Sequence, residues 1–169
     1  MHFRVLPFFL LLIGLTSLDC GANDSLYDKK TAQKLDLSKL SIFGPQSSKF
    51  RYDKRMLRAA EIAQERARSH SVSRCWRYVK NALLASNTID TYPKTANAKE
   101  AGGELQKSYG FKKINVKDPY RAPLGSVLVY GGRGAGHVEI RTKYGFVSDF
   151  RSFKPSIRPL IGVYIKPRA

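Results

Sequence analysis

Cys75, His137 and Asp149 are the residues whose types and spacing in this chain suit nucleophilic chemistry. A cysteine attacks as its thiolate, which is scarce at neutral pH because a free thiol titrates near about 8.5. Cys75 lies in "SHSVSRCWRYVKNALL", at the start of a predicted helix. There, unpaired backbone N–H groups and the positive end of the helix dipole favour the thiolate. Arg74 and Arg77 add positive charge beside it. His137 follows the glycine-rich "GGRGAG" and suits the role of general base. Asp149 stands in the next predicted strand, across a tight turn at "KYG". Folding "HVEIRT" back on "FVSDF" sets Asp149 opposite or diagonal to His137, where an acid can hold the imidazole in orientation. Glu139 is the rival orienter, because it shares a strand face with His137. Candidate oxyanion donors are the N–H of Cys75 itself, with Ser73 and Tyr52 as further contributors. His70 lies in a polar segment and reads as a solvated residue. Each of the three also has a purely structural reading, and spacing alone does not separate the two.

The elements that must position these groups can be read from periodicity. In "DKRMLRAAEIAQERARS", Met56, Ala60, Ala63 and Ala67 recur at helical spacing and form one apolar face. A second helix is predicted after Ser73, a good N-cap residue, with Cys75, Val79 and Ala82 or Leu83 on one inward side. A third follows "TYPKT", where Asn97 and Glu100 have capping-box spacing; Leu105 and Tyr109 share a face, Gly102 and Gly103 weaken the helix, and Gly110 ends it. The remainder reads as strands: "SVLVY" (126–130), "HVEIRT" (137–142), "FVSDF" (146–150) and "LIGVYIK" (160–166). Helices first and then a strand series argue for an α+β domain with an antiparallel sheet.

Composition sets the setting. The chain has 169 residues, 43% of them hydrophobic, enough for one domain with its own core. Thirty Lys and Arg against thirteen Asp and Glu give a net charge of +17, a field that attracts nucleic acid, anionic lipid or anionic wall polymers. The N-terminus carries Arg4, an apolar run from Val5 to Leu15 and small residues at "CGA", the pattern of a signal peptide over residues 1–22; the run is too short for a stable membrane span. The alternative is a lipoprotein lipidated at Cys20. Cleavage removes one positive and one negative charge, so the mature chain keeps +17. Residues 23–50 read as a polar linker or arm, and 51–169 as the domain. The mature chain then holds Cys75 alone, which rules out an internal disulfide in an oxidising compartment.

The run "SVSRCWRYVKNAL", "AGGELQKSYGF", "APLGSVLVYGG", "GHVEI" and "GFVSDF" resembles the NlpC/P60 and CHAP group of papain-like cysteine peptidases, over about residues 55–165. The resemblance implies a papain-like core with Cys75 as nucleophile, His137 as base and Asp149 at the third polar position. Two departures stand out: Ser126 occupies a position where the group usually has Asp, and many members carry His, Asn or Glu as the third residue. The implied activity is cleavage of an amide bond in peptidoglycan, as endopeptidase or amidase, through an acyl-enzyme and without metal or cofactor. The expected partners are peptidoglycan and anionic polymers, and the expected protein is an exported monomer. The alternative is a non-catalytic cationic module that binds nucleic acid or wall polymer, with Cys75 merely buried. "GGRGAG" lacks the lysine and hydroxyl of a phosphate-binding loop, and three histidines without a cysteine pair argue against a zinc site. Trp76 reads as either a groove residue or core.

Overall fold

The computed structural model of the chain describes residues 46–168. The expected signal peptide and most of the polar arm lie outside the described residues. The helices are α1 (Arg55–Arg66), α2 (Cys75–Ala85) and α3 (Ala101–Tyr109). The strands are β1 (Lys112–Ile114), β2 (Val127–Tyr130), β3 (His137–Thr142), β4 (Gly145–Val147), β5 (Arg151–Ser152) and β6 (Leu160–Ile165). They form one sheet in the order β1-β6-β2-β3-β4-β5, with every pairing antiparallel. This is the expected α+β architecture, with the helices packed on the sheet.

Alternation along the strands decides what each face does. Val127, Val129, Val138, Ile140 and Val147 join the buried residues of the three helices in the main core. Leu128, Tyr130, Phe146 and Val163 point the other way, into a smaller cluster with Val116 and Ala122. In α1 the buried face is Met56, Ala59, Ala60, Ile62 and Ala63. The expected continuation to Ala67 fails: Ala67 is extended, because the N–H of Arg68 donates to the carbonyl of Asp149 and Arg68 bridges to Phe150. A tertiary contact therefore ends the helix that propensity would have continued.

Two strands escaped the pattern reading. β1 is a three-residue edge strand reading Lys-Lys-Ile, whose charge protects an open sheet edge rather than advertising a strand. β5 has two residues and pairs with β4 across the segment expected to be one strand over 146–150. The predicted capping box does not form. Asn97 donates its amide to Glu100 Oε1 at 2.8 Å, a 3₁₀ turn covers Ala98–Glu100, and α3 starts after it. Gly110 ends α3 in the left-handed conformation, as expected.

The two glycines of α3 are not equivalent. A Cβ on Gly102 would lie 2.3 Å from Cζ and the hydroxyl oxygen of the buried Tyr164, whereas a Cβ on Gly103 meets nothing within 4 Å. Replacing a helical Gly by Ala gains about 0.5–1 kcal/mol of propensity, and overpacking costs about 1–3 kcal/mol. The second outweighs the first at Gly102 only. Thermal or urea denaturation should therefore find Gly103→Ala more stable than wild type by about 0.5–1 kcal/mol and Gly102→Ala less stable by about 1–2 kcal/mol.

Candidate active site

Cys75 is the first residue of α2, half-buried and packed against the main core. The N-cap is Arg74, not Ser73 as the sequence suggested, and no side chain caps the helix. Its first-turn N–H groups are thus left without a side-chain acceptor beside the sulfur. Ser73 instead adopts φ 59°, a left-handed conformation rare for a residue with a side chain. That strain, of order ~1–3 kcal/mol, persists only where surroundings impose it.

Asp149 imposes it. The carboxylate is fully buried. Its Oδ2 accepts the N–H of Val72 at 2.7 Å, the N–H of Arg74 at 3.1 Å and the hydroxyl of Ser71 at 3.2 Å. Ser148 donates its hydroxyl to Oδ1 at 3.1 Å. Burial pushes the carboxyl pKa up, but the N–H donors of Arg74 and Val72, its own N–H and the Ser148 hydroxyl outweigh that and hold it below the usual value. The turn leading into Cys75 is wrapped around this one carboxylate. The geometry differs from the expected one, in which Asp149 faces His137. β4 stops at Val147, so Asp149 leaves the β3–β4 ladder, and its Oδ2 is occupied by the α1–α2 connection and its Oδ1 by the Ser148 hydroxyl.

His137 opens β3, and its Nε2 lies 3.3 Å from Glu139 Oε2. Glu139 is buried; its Oε1 accepts the Tyr130 hydroxyl at 2.6 Å and the N–H of Ser156 at 3.4 Å. Tyr130 is paired directly across the ladder from His137, so the carboxylate is reached diagonally. Burial, then the charge of Glu139 and the bond to it, hold the Tyr130 hydroxyl protonated far above its ordinary range. With Nε2 turned to Glu139, the ring nitrogen left for the sulfur is Nδ1. Burial alone would lower the imidazole pKa. Hydrogen bonding and negative charge from Cys75 and Glu139 outweigh it and raise the pKa from 6.5 to about 9. The structure thus brings Cys75, His137 and Glu139 together, backed by Tyr130, and places Asp149 under the turn that leads into Cys75. Tyr130 was absent from the sequence reading, although its alternate position in "SVLVYGG" and the rule of cross-strand pairing were enough to find it.

The hairpin that carries His137 is fixed by a close approach. Gly136 has φ 78°, and a Cβ there would lie 2.5 Å from the carbonyl oxygen of Tyr130 and 2.7 Å from Lys99 Cβ. The N–H of Lys99 donates to Ala135 at 2.9 Å, tying the segment before α3 to this loop. Trp76 is core: it is buried and donates Nε1–H to Thr95 at 3.1 Å. The other candidates stand apart. His70 is exposed and bonded to the neighbouring Ser69, and Tyr52 is bridged to Pro167 after β6.

The fold and the site together define an α+β domain with a cysteine at a helix start facing a half-buried histidine, itself bonded to a buried carboxylate on the sheet. Among solved structures the chain is similar to a chain of the native type VI effector–immunity complex Tae3–Tai3 from Ralstonia pickettii. The TM-score is 0.51 at 22% identity, over 66% of this chain and 98% of that one. It is also similar to a chain of the selenomethionine form of that complex, with TM-score 0.46 and 26% identity over 56% of this chain and 80% of that one. The first likeness shows a shared fold. No family model matches the sequence, and no curated protein does.

Removing the Asp149 carboxylate takes the acceptor from two N–H groups and leaves Ser73 unsupported. Asp149→Ala should lose about 2–4 kcal/mol in urea denaturation at neutral pH. A carboxylate whose pKa is depressed by folding stabilises the fold above its unfolded value of 3.8, and that stabilisation is lost as pH falls below it. The gap between wild type and Asp149→Ala should therefore shrink below about pH 4, and a gap of constant size would contradict this role.

Proposed function

We propose that this chain is an exported thiol hydrolase that cleaves an amide bond in peptidoglycan, with Cys75 as nucleophile, His137 as acid–base and Glu139 as the residue that orients and charges the imidazole. The observation that carries the reading is the half-buried imidazole held between Cys75 and Glu139, with its pKa raised to about 9. At neutral pH the histidine holds a proton, the state that stabilises a neighbouring thiolate. Resemblance to the NlpC/P60 and CHAP group supplies the substrate class. The fold shared with a chain of the Tae3–Tai3 complex supports it at the level of architecture alone. The expected leader over residues 1–22 supports export, and no helix among the described residues is long and apolar enough to cross a membrane.

The reaction runs as acyl transfer. The Cys75 thiolate forms a bond to the amide carbonyl carbon, and the developing oxyanion is met by the Cys75 N–H at the uncapped helix start. The imidazolium of His137 gives its proton to the leaving nitrogen as the C–N bond breaks, which leaves a thioester and a neutral imidazole. Neutral His137 then takes a proton from water; the hydroxide displaces the thiolate, and the ion pair is restored. Glu139, fixed by Tyr130, keeps Nε2 engaged so that Nδ1 stays on the sulfur side. Asp149 acts through the turn 71–74 and is a positioning residue.

Purified wild-type chain should release soluble muropeptides from peptidoglycan, read by chromatography and mass spectrometry, and Cys75→Ala should release none while unfolding at the same temperature. Full release by Cys75→Ala would overturn the mechanism, and no release by the wild type would leave the cationic-module reading in its place.

The pH dependence follows from His137. Between 6.5 and about 9 the folded chain keeps a proton that the unfolded chain has lost, so the imidazolium persists through that window and disappears as pH rises through about 9. The kcat/KM profile should show an alkaline limb near pH 9. Glu139→Gln removes a charge that raises the pKa, so the limb should move to lower pH; an unmoved limb would take Glu139 out of this role.

A further inference from the structure

The far end of β3 carries a second constellation. Arg141 lies four residues beyond His137, about 13 Å along the strand, and is 4% exposed. It lines a cavity of about 410 Å³ together with Tyr120, Lys143, Tyr144, Phe153 and Lys154, and no acidic residue lines it. The guanidinium is only partly satisfied. Its Nη1 donates to the carbonyls of Thr142 and Gly145, each at 2.8 Å, its Nη2 is 3.4 Å from the carbonyl of Tyr120, and its Nε has no partner among the described residues. No carboxylate among the described residues pairs with it; Asp118 and Glu139 act on it only through longer-range charge. A buried cation without a bonded counter-ion is costly, and an anion brought to it relieves that cost.

The walls add a second kind of recognition. Tyr144 and Phe153 are 64% and 84% exposed and stand together in the lining of this cavity. Lys143 sits over the Tyr144 ring at 5.7 Å, and Lys154 follows Phe153 directly. Rings at the wall with cations at the floor and rim suit a ligand that carries an apolar ring face and an acidic group. The ring stacks on Tyr144 or Phe153, and the acid takes charge-assisted bonds from Arg141 and the lysines.

We infer that this cavity is a second, non-catalytic site that binds a sugar ring bearing a carboxylate, through which the chain holds an acidic wall glycan away from Cys75. The choice of a wall sugar over other ring-bearing anions rests on the function proposed above. The recognition chemistry rests on the cavity alone.

Calorimetric titration of the full chain with N-acetylmuramic acid, N-acetylglucosamine and adenosine monophosphate tests it. The acidic sugar should bind, and the neutral sugar should bind at least about tenfold more weakly for want of the charge-assisted bonds. Lys143→Ala/Lys154→Ala changes two exposed side chains and should weaken the acidic sugar by about tenfold with an unchanged unfolding temperature. Cys75→Ala should bind it as wild type does, so failure of the thiol chemistry and failure of this site are read separately. Equal binding of the two sugars, an unaffected double variant, tighter binding of the nucleotide, or no binding of the acidic sugar would each overturn the assignment.

Discussion

The buried carboxylate of Asp149 holds the turn that delivers the cysteine. Two N–H groups and a hydroxyl from residues 71–74 converge on one of its oxygens, and its backbone carbonyl takes the N–H of Arg68. One residue thus ends α1, bends the connection and starts α2. The connection reaches a left-handed Ser73 because three donors must point inward at once, and that geometry turns the chain into the helix at Cys75. Without a side-chain cap, the helix start stays open for a developing negative charge. The same carboxylate therefore fixes both where the sulfur is and what lies beside it.

A second buried acid governs the partner. Glu139 takes the Tyr130 hydroxyl and the imidazole of His137 with its two oxygens, so the ring can neither rotate freely nor lose its proton easily. The two acids divide work that a single third residue was expected to do. Asp149 fixes the turn before Cys75, and Glu139 bonds and helps charge the His137 imidazole. The β3–β4 register makes the division necessary: Ile140 faces Val147, and the ladder ends before Asp149 comes opposite the start of β3.

Much of this was legible in the sequence. The helix start at Cys75, the strand at His137 and the order of helices before strands follow from periodicity and glycine placement, which local chemistry decides. What was hidden depends on long-range contact. Ala67 leaves α1 because Arg68 is captured by Asp149, 81 residues away in the chain. Ser73 looked like a cap because its type favours one, but it is held in a left-handed turn, with its own N–H on the Ser71 hydroxyl and the next N–H on Asp149. Gly102 looked like a weakness in a helix and is a close approach to Tyr164. Glu139 was visible as a rival, because two residues on one strand share a face. Seeing that Glu139 is the acid bonded to the imidazole required knowing where β4 ends.

The distribution of charge completes the account. With thirteen acids against thirty basic residues, the chain has few carboxylates to place. Glu139, Asp149 and the partly buried Glu104 are bonded to N–H groups, hydroxyls and an imidazole rather than to lysine or arginine; Glu104 takes the N–H of Lys94 at 2.5 Å and that of Thr95 at 3.1 Å. Among the described residues, Arg55 and Arg58 are the only lysines or arginines within ion-pair distance of a carboxylate, so most of the surface cations face outward without a carboxylate partner. Salt screens their field within about 8–10 Å, while the buried contacts are screened far less. Ionic strength should accordingly act on capture of an acidic polymer, which the exterior governs, and leave the state of the Cys75–His137 pair, which the interior governs, nearly as it was.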